Sequence, residues 1–390
     1  SNLKKSFFIS LFAAASWCTL EWIRAWLFSG FPWNQLGISQ FERTTLLKSA
    51  AYAGVYGISF LIVLSNLCLS NEICQVLRRV FSRKGRKFTW HLALFACFCL
   101  PFYLSGTGNE ISPDEDTQYL KILAVQGNMP QCREWTDEDF EEALHRYTFL
   151  TRAGIAEESD IDLVVWPECA VPASLGYAPY TDALKKMQDE TKTPLLFGAT
   201  NYRHLENDVE YKSLFNSAFL IDEQFQINAY YDKIHRVPFG EFVPASKYFP
   251  ILVEWIGMGR DLTPGLSYSI FNLPKGARAG VNICFEDVFP EVSRNFTLRG
   301  ANVLMTITND SWYKESAGAW QHFSHVVFRA AECRRPVLRS GQNSYTCLIS
   351  PYGKVISCLT NKMNGSPFVK GSKSFYMPVQ DKLGITFYTK

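Results

Sequence analysis

The sequence has almost no net charge to offer a polyanion. Its 39 lysines and arginines are balanced by 37 aspartates and glutamates, leaving +2 over 390 residues, so no basic footprint for nucleic acid is visible. It has no glycine-rich phosphate loop and no CxxC or HExxH ligand spacing. His204, His235, His322 and His325 lack ligand spacing as well, so neither a metal nor a cofactor is expected. There is no internal repeat and no low-complexity linker. An initial methionine is also missing, and the chain is read as a fragment or a shortened protein.

Apolar residues are plentiful but unevenly spread. The mean hydropathy of -0.06 hides a split, because roughly the first hundred residues are far more apolar than the rest. Residues 7–28 form an apolar stretch of about the length that a bilayer needs. Inside it, Glu21 and Arg24 stand three apart and share a helical face. Charges in a span usually pair or face protein. Residues 49–69, with Gly54 and Gly57, give a second span, and residues 88–104 a third, shorter one. Between the last two lie Arg78-Arg79 and Arg83-Lys84-Gly85-Arg86-Lys87, a basic cluster that marks the cytoplasmic side. Lys4 and Lys5, two crossings earlier, fall on that same side. The third crossing carries the rest of the chain to the opposite face. Residues 1–110 are therefore expected to be a membrane part and residues 111–390 a soluble domain.

From residue 120 the pattern becomes that of alternating strands and helices. Strands are expected at 120–125, 161–166, 194–199, 214–221, 226–231, 279–284, 303–308 and 345–350, and helices at 137–153, 180–190 and 320–333. This argues for α/β layers in a mixed sheet, or two sheets, with helices outside. Six cysteines fall here, Cys132, Cys169, Cys284, Cys333, Cys347 and Cys358, and their spacing suggests no disulfide framework.

Three strand ends carry chemistry. Trp166-Pro167-Glu168 places a carboxylate in a cleft, where its pKa can rise and it can act as a base. Lys233, in Tyr231-Asp232-Lys233-Ile234-His235, is a fixed cation for an oxyanion, and Glu241 in the following turn can hold it. Cys284 ends an apolar strand and is followed by Glu286 and Asp287. Its thiol needs a base or a nearby cation to become a nucleophile. Each residue alone reads more simply as core cysteine, loop glutamate or surface lysine. The three together suit acyl transfer through a thioester.

These stretches, in this order, resemble the nitrilase (carbon–nitrogen hydrolase) superfamily over roughly residues 119–354. The resemblance implies an α/β fold, an αββα sandwich preceded here by transmembrane helices, with Glu168, Lys233 and Cys284 as the catalytic triad. Within the superfamily, the sequence looks most like the apolipoprotein N-acyltransferase family. The residues carrying this are Glu21-Trp22 with Phe31-Pro32-Trp33, Val125-Gln126-Gly127-Asn128 with Trp135, residues 237–244, and Asn309-Asp310-Ser311-Trp312.

That family moves an acyl chain from a phospholipid to the α-amine of a diacylglyceryl-cysteine apolipoprotein. By the match, Glu241 and Glu286 are supporting residues, and Trp135 and Phe285 lie at the substrate. The resemblance also implies a multi-pass protein of the bacterial inner membrane, a monomer with its catalytic domain in the periplasm. Phe285 stands where the family often has tyrosine, and Gln342-Asn343-Ser344-Tyr345 departs from a small, glycine-containing version. The family normally has more spans before the catalytic domain and one after it. Residues 242–256 read as an aromatic loop arm near lipid or as a core helix. Two competing readings are a membrane-tethered amidase or nitrilase for small substrates, and a non-catalytic lipid-binding scaffold.

Overall fold

Strand periodicity sets the architecture of the second part of the chain. In β1 (Gln118–Gln126), Leu120, Ile122 and Ala124 enter one core and Leu123 and Val125 another. A strand buried on both faces belongs in the middle of a layered fold. The computed structural model describes residues 2–82, 96, 100, 116–130, 136–171, 173–203, 213–244, 246, 248–249, 251, 261–380 and 384–390.

After β1 come α3 (Asp137–Glu157), β2 (Leu163–Val165), α4 (Ala178–Thr191), β3 (Leu195–Arg203), β4 (Ser213–Ile221) and β5 (Ile227–Asp232). The second half runs β6 (Ile270–Asn272), β7 (Arg278–Ile283), α5 (Pro290–Leu298), β8 (Val303–Thr308), α6 (Ala317–Cys333), β9 (Val337–Gly341), β10 (Cys347–Ile349) and β11 (Val355–Cys358). Strand β12 (Gly371–Val379) closes the series. The sheets are β12-β1-β2-β3-β4-β5 and β11-β10-β9-β8-β7-β6. In each, three parallel strands are flanked by one antiparallel strand on one side and two on the other. The two halves thus repeat one topology without a sequence repeat.

The layers follow from alternation. On β7, Ala279, Val281 and Ile283 join the core that Leu120, Ile122 and Ala124 also enter. Asn282 turns the other way and donates to the Ser293 hydroxyl of α5 at 3.1 Å. Helices α3 and α4 bury Tyr147, Tyr180, Leu184 and Met187 on the outer face of the first sheet. The result is the expected αββα sandwich. Helix α3 starts at the anticipated position because Thr136 and Asp139 form a capping box.

Before the sandwich come α1 (Asn2–Arg24) and α2 (Thr44–Ser82). Both are long and apolar enough to cross a membrane, over Lys5–Arg24 and Thr44–Arg78. Apart from Ala96 and Leu100, the expected third span lies outside the described residues, as do Trp135 and most of the stretch 242–256 beyond Pro244, which reads as a loop arm or a core helix.

Helix α2 runs past its expected end at residue 69 and is broken at Gly54, where φ is 62° and ψ −165°. The break frees two backbone groups, and the sandwich satisfies both. Val55 N–H donates to Glu332 Oε1 at 2.8 Å, and the Ala51 carbonyl accepts from Tyr388 N–H at 2.9 Å. The first half of α2, with Leu47, Ala50, Val55 and Ile58, packs into the same core as Phe323, Val326 and Val327 of α6.

Two features differ from the sequence reading. Cys347 and Cys358 face each other across the β10–β11 hairpin and form a disulfide. Strands β6, β9, β11 and β12 and helix α5 were not anticipated, and β12 returns to pair with β1 along its whole length.

Candidate active site

Each of the three side chains singled out from the sequence follows the end of a strand. Glu168 follows β2, Lys233 follows β5 and Cys284 follows β7. Ligand sites in α/β sheets gather beyond such carboxyl ends. Cys284 has φ of 53° at the junction between β7 and a 3-10 turn, Cys284–Val288. This sharp turn lifts the sulfur off the sheet.

All three line one cavity of about 540 Å³, together with Asn216, Glu241, Phe285, Asn309, Trp312 and Tyr313. A larger depression of about 960 Å³ over β3–β5 contains none of the three. Lys233 is 1% exposed and Glu168 6%. Lys233 Nζ lies 2.8 Å from Glu241 Oε1 and 3.5 Å from Glu168 Oε1. Asn216 Nδ2 donates to both carboxylates, at 2.7 Å to Glu168 and 3.1 Å to Glu241. The second oxygen of Glu168 accepts from Asn309 N–H at 2.9 Å, and that of Glu241 from Val237 N–H at 2.8 Å.

The electrostatics have clear signs. Burial pushes the Cys284 thiol well above its ordinary pKa, Glu168 adds to the rise, and Lys233 opposes it. The sulfur is therefore protonated at rest. Burial works against the charge of Lys233, but Glu241 and then Glu168 outweigh it and raise its pKa well above the ordinary value. The cavity thus holds a fixed ammonium and a neutral thiol, beside Glu168 and Glu241.

The two acidic residues after Cys284 point to different partners. Glu286 Oε1 accepts from Tyr231 Oη at 2.8 Å, Ile234 N–H at 2.7 Å and His235 N–H at 3.2 Å, while Oε2 accepts from Ile283 N–H at 2.9 Å. It ties the cysteine turn to the lysine loop. Burial pushes its carboxyl up to about 7, against the pull of these donors.

Asp287 points the other way. Its Oδ1 is 2.9 Å from His322 Nε2, and His322 Nδ1 is 2.7 Å from Asp310 Oδ1. Arg339 reaches Asp310 Oδ2 at 2.6 Å. All four side chains are fully buried. With a carboxylate oxygen on each ring nitrogen, His322 fits as an imidazolium. Burial opposes that charge, but Asp287 and Asp310 hold the pKa up at about 9. Asp310 adjoins Asn309, so this network ties the cysteine turn to the loop that holds Glu168.

The membrane part reaches this site. Trp33, in the loop after α1, stacks on Phe285 at 6.3 Å and lies 5.7 Å from Tyr313 and 5.5 Å from His322. Phe285 also meets Phe31 at 5.6 Å and is 3% exposed. Of the residues singled out from the sequence, Glu168, Lys233, Cys284, Glu241 and Phe285 line the cavity, Glu286 lies behind it, and Trp135 is outside the described residues. Sequence reasoning missed Asn216 and the Asp287–His322–Asp310–Arg339 network. Asp287 beside Glu286 and the Asn309-Asp310 pair at the end of β8 were the local signals.

A carbon–nitrogen hydrolase family model matches residues 121–365, and a model of the apolipoprotein N-acyltransferase N-terminal domain matches residues 2–68. By sequence the chain belongs to the carbon–nitrogen hydrolase family. Within it, the chain belongs to the apolipoprotein N-acyltransferase family. The apolipoprotein N-acyltransferase of Geobacter metallireducens is 34% identical over 340 residues, covering 87% of this chain and 64% of that protein. That of Allorhizobium ampelinum is 30% identical over 357 residues, covering 90% and 65%, and that of Haemophilus ducreyi is 32% identical over 364 residues, covering 90% and 67%. The chain thus spans about two thirds of the length of these relatives. Among solved structures, Saccharomyces cerevisiae Nit3, a nitrilase superfamily member, overlaps it with a TM-score of 0.47 at 16% identity, over 69% of this chain and 93% of that one.

Proposed function

We propose that the protein is an apolipoprotein N-acyltransferase, which moves an acyl chain from a phospholipid to the N-terminal amine of a diacylglyceryl-cysteine lipoprotein. The observation that carries this is the single cavity shared by Glu168, Lys233 and Cys284, walled by Phe285 against the loop between two membrane-length helices. As the donor ester arrives, Glu168 takes the Cys284 proton and the sulfur bonds to the ester carbon. Lys233 faces the oxyanion that forms. Collapse breaks the ester C–O bond, and Glu168 returns its proton to the departing lysophospholipid. The acceptor amine then attacks the thioester and Glu168 takes its proton; the C–S bond breaks, and Glu168 passes that proton to the departing sulfur, restoring the thiol. Glu241 holds Lys233, and Glu286 holds the turn.

The catalytic domain faces the periplasm of a bacterial inner membrane on this reading. The basic residues at the end of α2 support that orientation, and a disulfide in the domain suits an oxidising compartment. The test is mass spectrometry after incubation with phospholipid vesicles. The protein gains one acyl chain on Cys284, Cys284→Ala gains none, and a diacylglyceryl peptide discharges the adduct with its amine acylated. Discharge by water alone, with no acyl peptide formed, would instead favour a membrane-tethered amidase or nitrilase.

A further inference from the structure

A second cavity adjoins the catalytic one. It is a groove of about 660 Å³ between the end of α1 and the turn at 238–244. Its walls include Leu20, Ile23, Leu27 and Phe31, and its one charged residue is Arg24. Pro238 and Phe239 line both the groove and the catalytic cavity, so only these two residues need to stand between them.

Arg24 is exposed, and among the described residues no carboxylate pairs with it. Its helical neighbour Glu21 turns inward instead, accepting from Trp17 Nε1 at 2.9 Å and Leu36 N–H at 2.7 Å. Trp22, Trp26 and Phe28 are exposed around it. Such an aromatic belt marks the level of lipid headgroups, where an arginine meets phosphate.

Phe239 adds a separate observation. It holds φ of 61° and is 62% exposed. Positive φ in a bulky residue is a strained state that persists where the surroundings demand it, often at ligand clamps. Here it sets an aromatic ring at the junction of groove and cavity.

We propose that this groove seats the acyl donor, with the phosphodiester of a glycerophospholipid on Arg24, the chains along the apolar wall and the ester carbonyl passing Phe239 toward Cys284. The inference rests on the function proposed above and adds the residue that reads the phosphate. Among its lining residues only Arg24 is charged, and the charge is positive. An anionic phosphodiester attached to an apolar chain complements both parts, whereas a neutral glyceride complements only the wall.

The test compares phosphatidylglycerol with diacylglycerol of the same chains, each in vesicles of otherwise neutral ether lipid, and follows the acyl-thioester on Cys284. The wild type prefers the phospholipid in kcat/KM by about tenfold or more, the worth of one charge-assisted contact. Arg24→Gln loses most of that preference through KM, and Arg24→Lys keeps part of it. Equal preference in wild type and Arg24→Gln overturns the assignment. So does a wild type that does not distinguish the two donors, a result that needs no variant to fold. If diacylglycerol acylates the wild type but phosphatidylglycerol does not, the phosphate site is wrong while the thioester chemistry stands. If neither acylates it, the proposed function itself fails.

Discussion

Cys284 starts a turn whose next two carboxylates diverge, and this divergence sets what single substitutions do. The buried thiol is held protonated, with Lys233 as the cation opposing that rise. Alkylation by iodoacetamide is therefore expected to be slow at neutral pH and to climb as pH rises above the ordinary thiol value. Lys233→Met removes the opposing cation and should shift the climb to still higher pH, as read by mass spectrometry of the Cys284 peptide. An unshifted profile would show that the ammonium does not act on the sulfur.

His322 gives a second expectation at this scale. Its pKa is raised from 6.5 to about 9 in the fold, so the folded state binds its proton more tightly than the unfolded state. The resulting stabilisation is complete below pH 6.5 and fades as pH rises through about 9. His322→Gln leaves Asp287 and Asp310 without the imidazolium, and loss of one buried partner costs about 3–5 kcal/mol. The Tm gap between wild type and variant should be widest near pH 6 and narrow toward pH 9. A gap independent of pH would mean that the ring packs without its charge. Glu168, Lys233 and Cys284 were legible because each follows a strand within a local run. The four charged members of the His322 network are spread over residues 287–339, on separate elements with no common spacing, so only folding reveals their meeting.

At the level of elements, α2 is the instructive case. Its sequence reads as one uninterrupted apolar helix, and Gly54 looks like any small residue in a span. The break there depends on what lies across from it. A Cβ on Gly54 would stand 2.5 Å from the Tyr388 ring and 3.1 Å from Glu332 Oε1. Gly54→Ala must strain a positive φ and displace Tyr388, at a cost of about 1–3 kcal/mol. Thermal unfolding in detergent should show the loss. An unchanged Tm would mean that α2 straightens freely and that the bonds to Glu332 and Tyr388 contribute little. The β10–β11 disulfide was hidden for a related reason. Only one strand of that hairpin, at 345–350, was legible, so the position opposite Cys347 was unknown.

For the whole molecule, the layered sandwich was legible from period-2 strands alternating with helices, whereas the join between sandwich and membrane helices was not. Charge and length separate the two parts of the chain, but packing unites them. Ile38, Leu47, Ala50, Val55 and Ile58 lie in the same core cluster as the strands of both sheets and α6. Arg329 links the two ends of this contact. It pairs with Glu332 at 2.8 Å, which caps the broken α2, and its Nη1 lies 3.4 Å from the Val288 carbonyl at the end of the cysteine turn. Removing residues 1–82 therefore does more than detach an anchor. It uncovers the apolar face of α6, strips Trp33 from Phe285 and leaves Glu332 without the Val55 N–H. Large exposed apolar faces drive association, so the remaining domain should elute as aggregate in size-exclusion chromatography without detergent. In detergent, its Cys284 should be acylated by a short p-nitrophenyl ester far more slowly than in the whole chain. A monodisperse truncated domain with the full acylation rate would show that the membrane helices only tether the site, and the shared core would then be incidental to the chemistry.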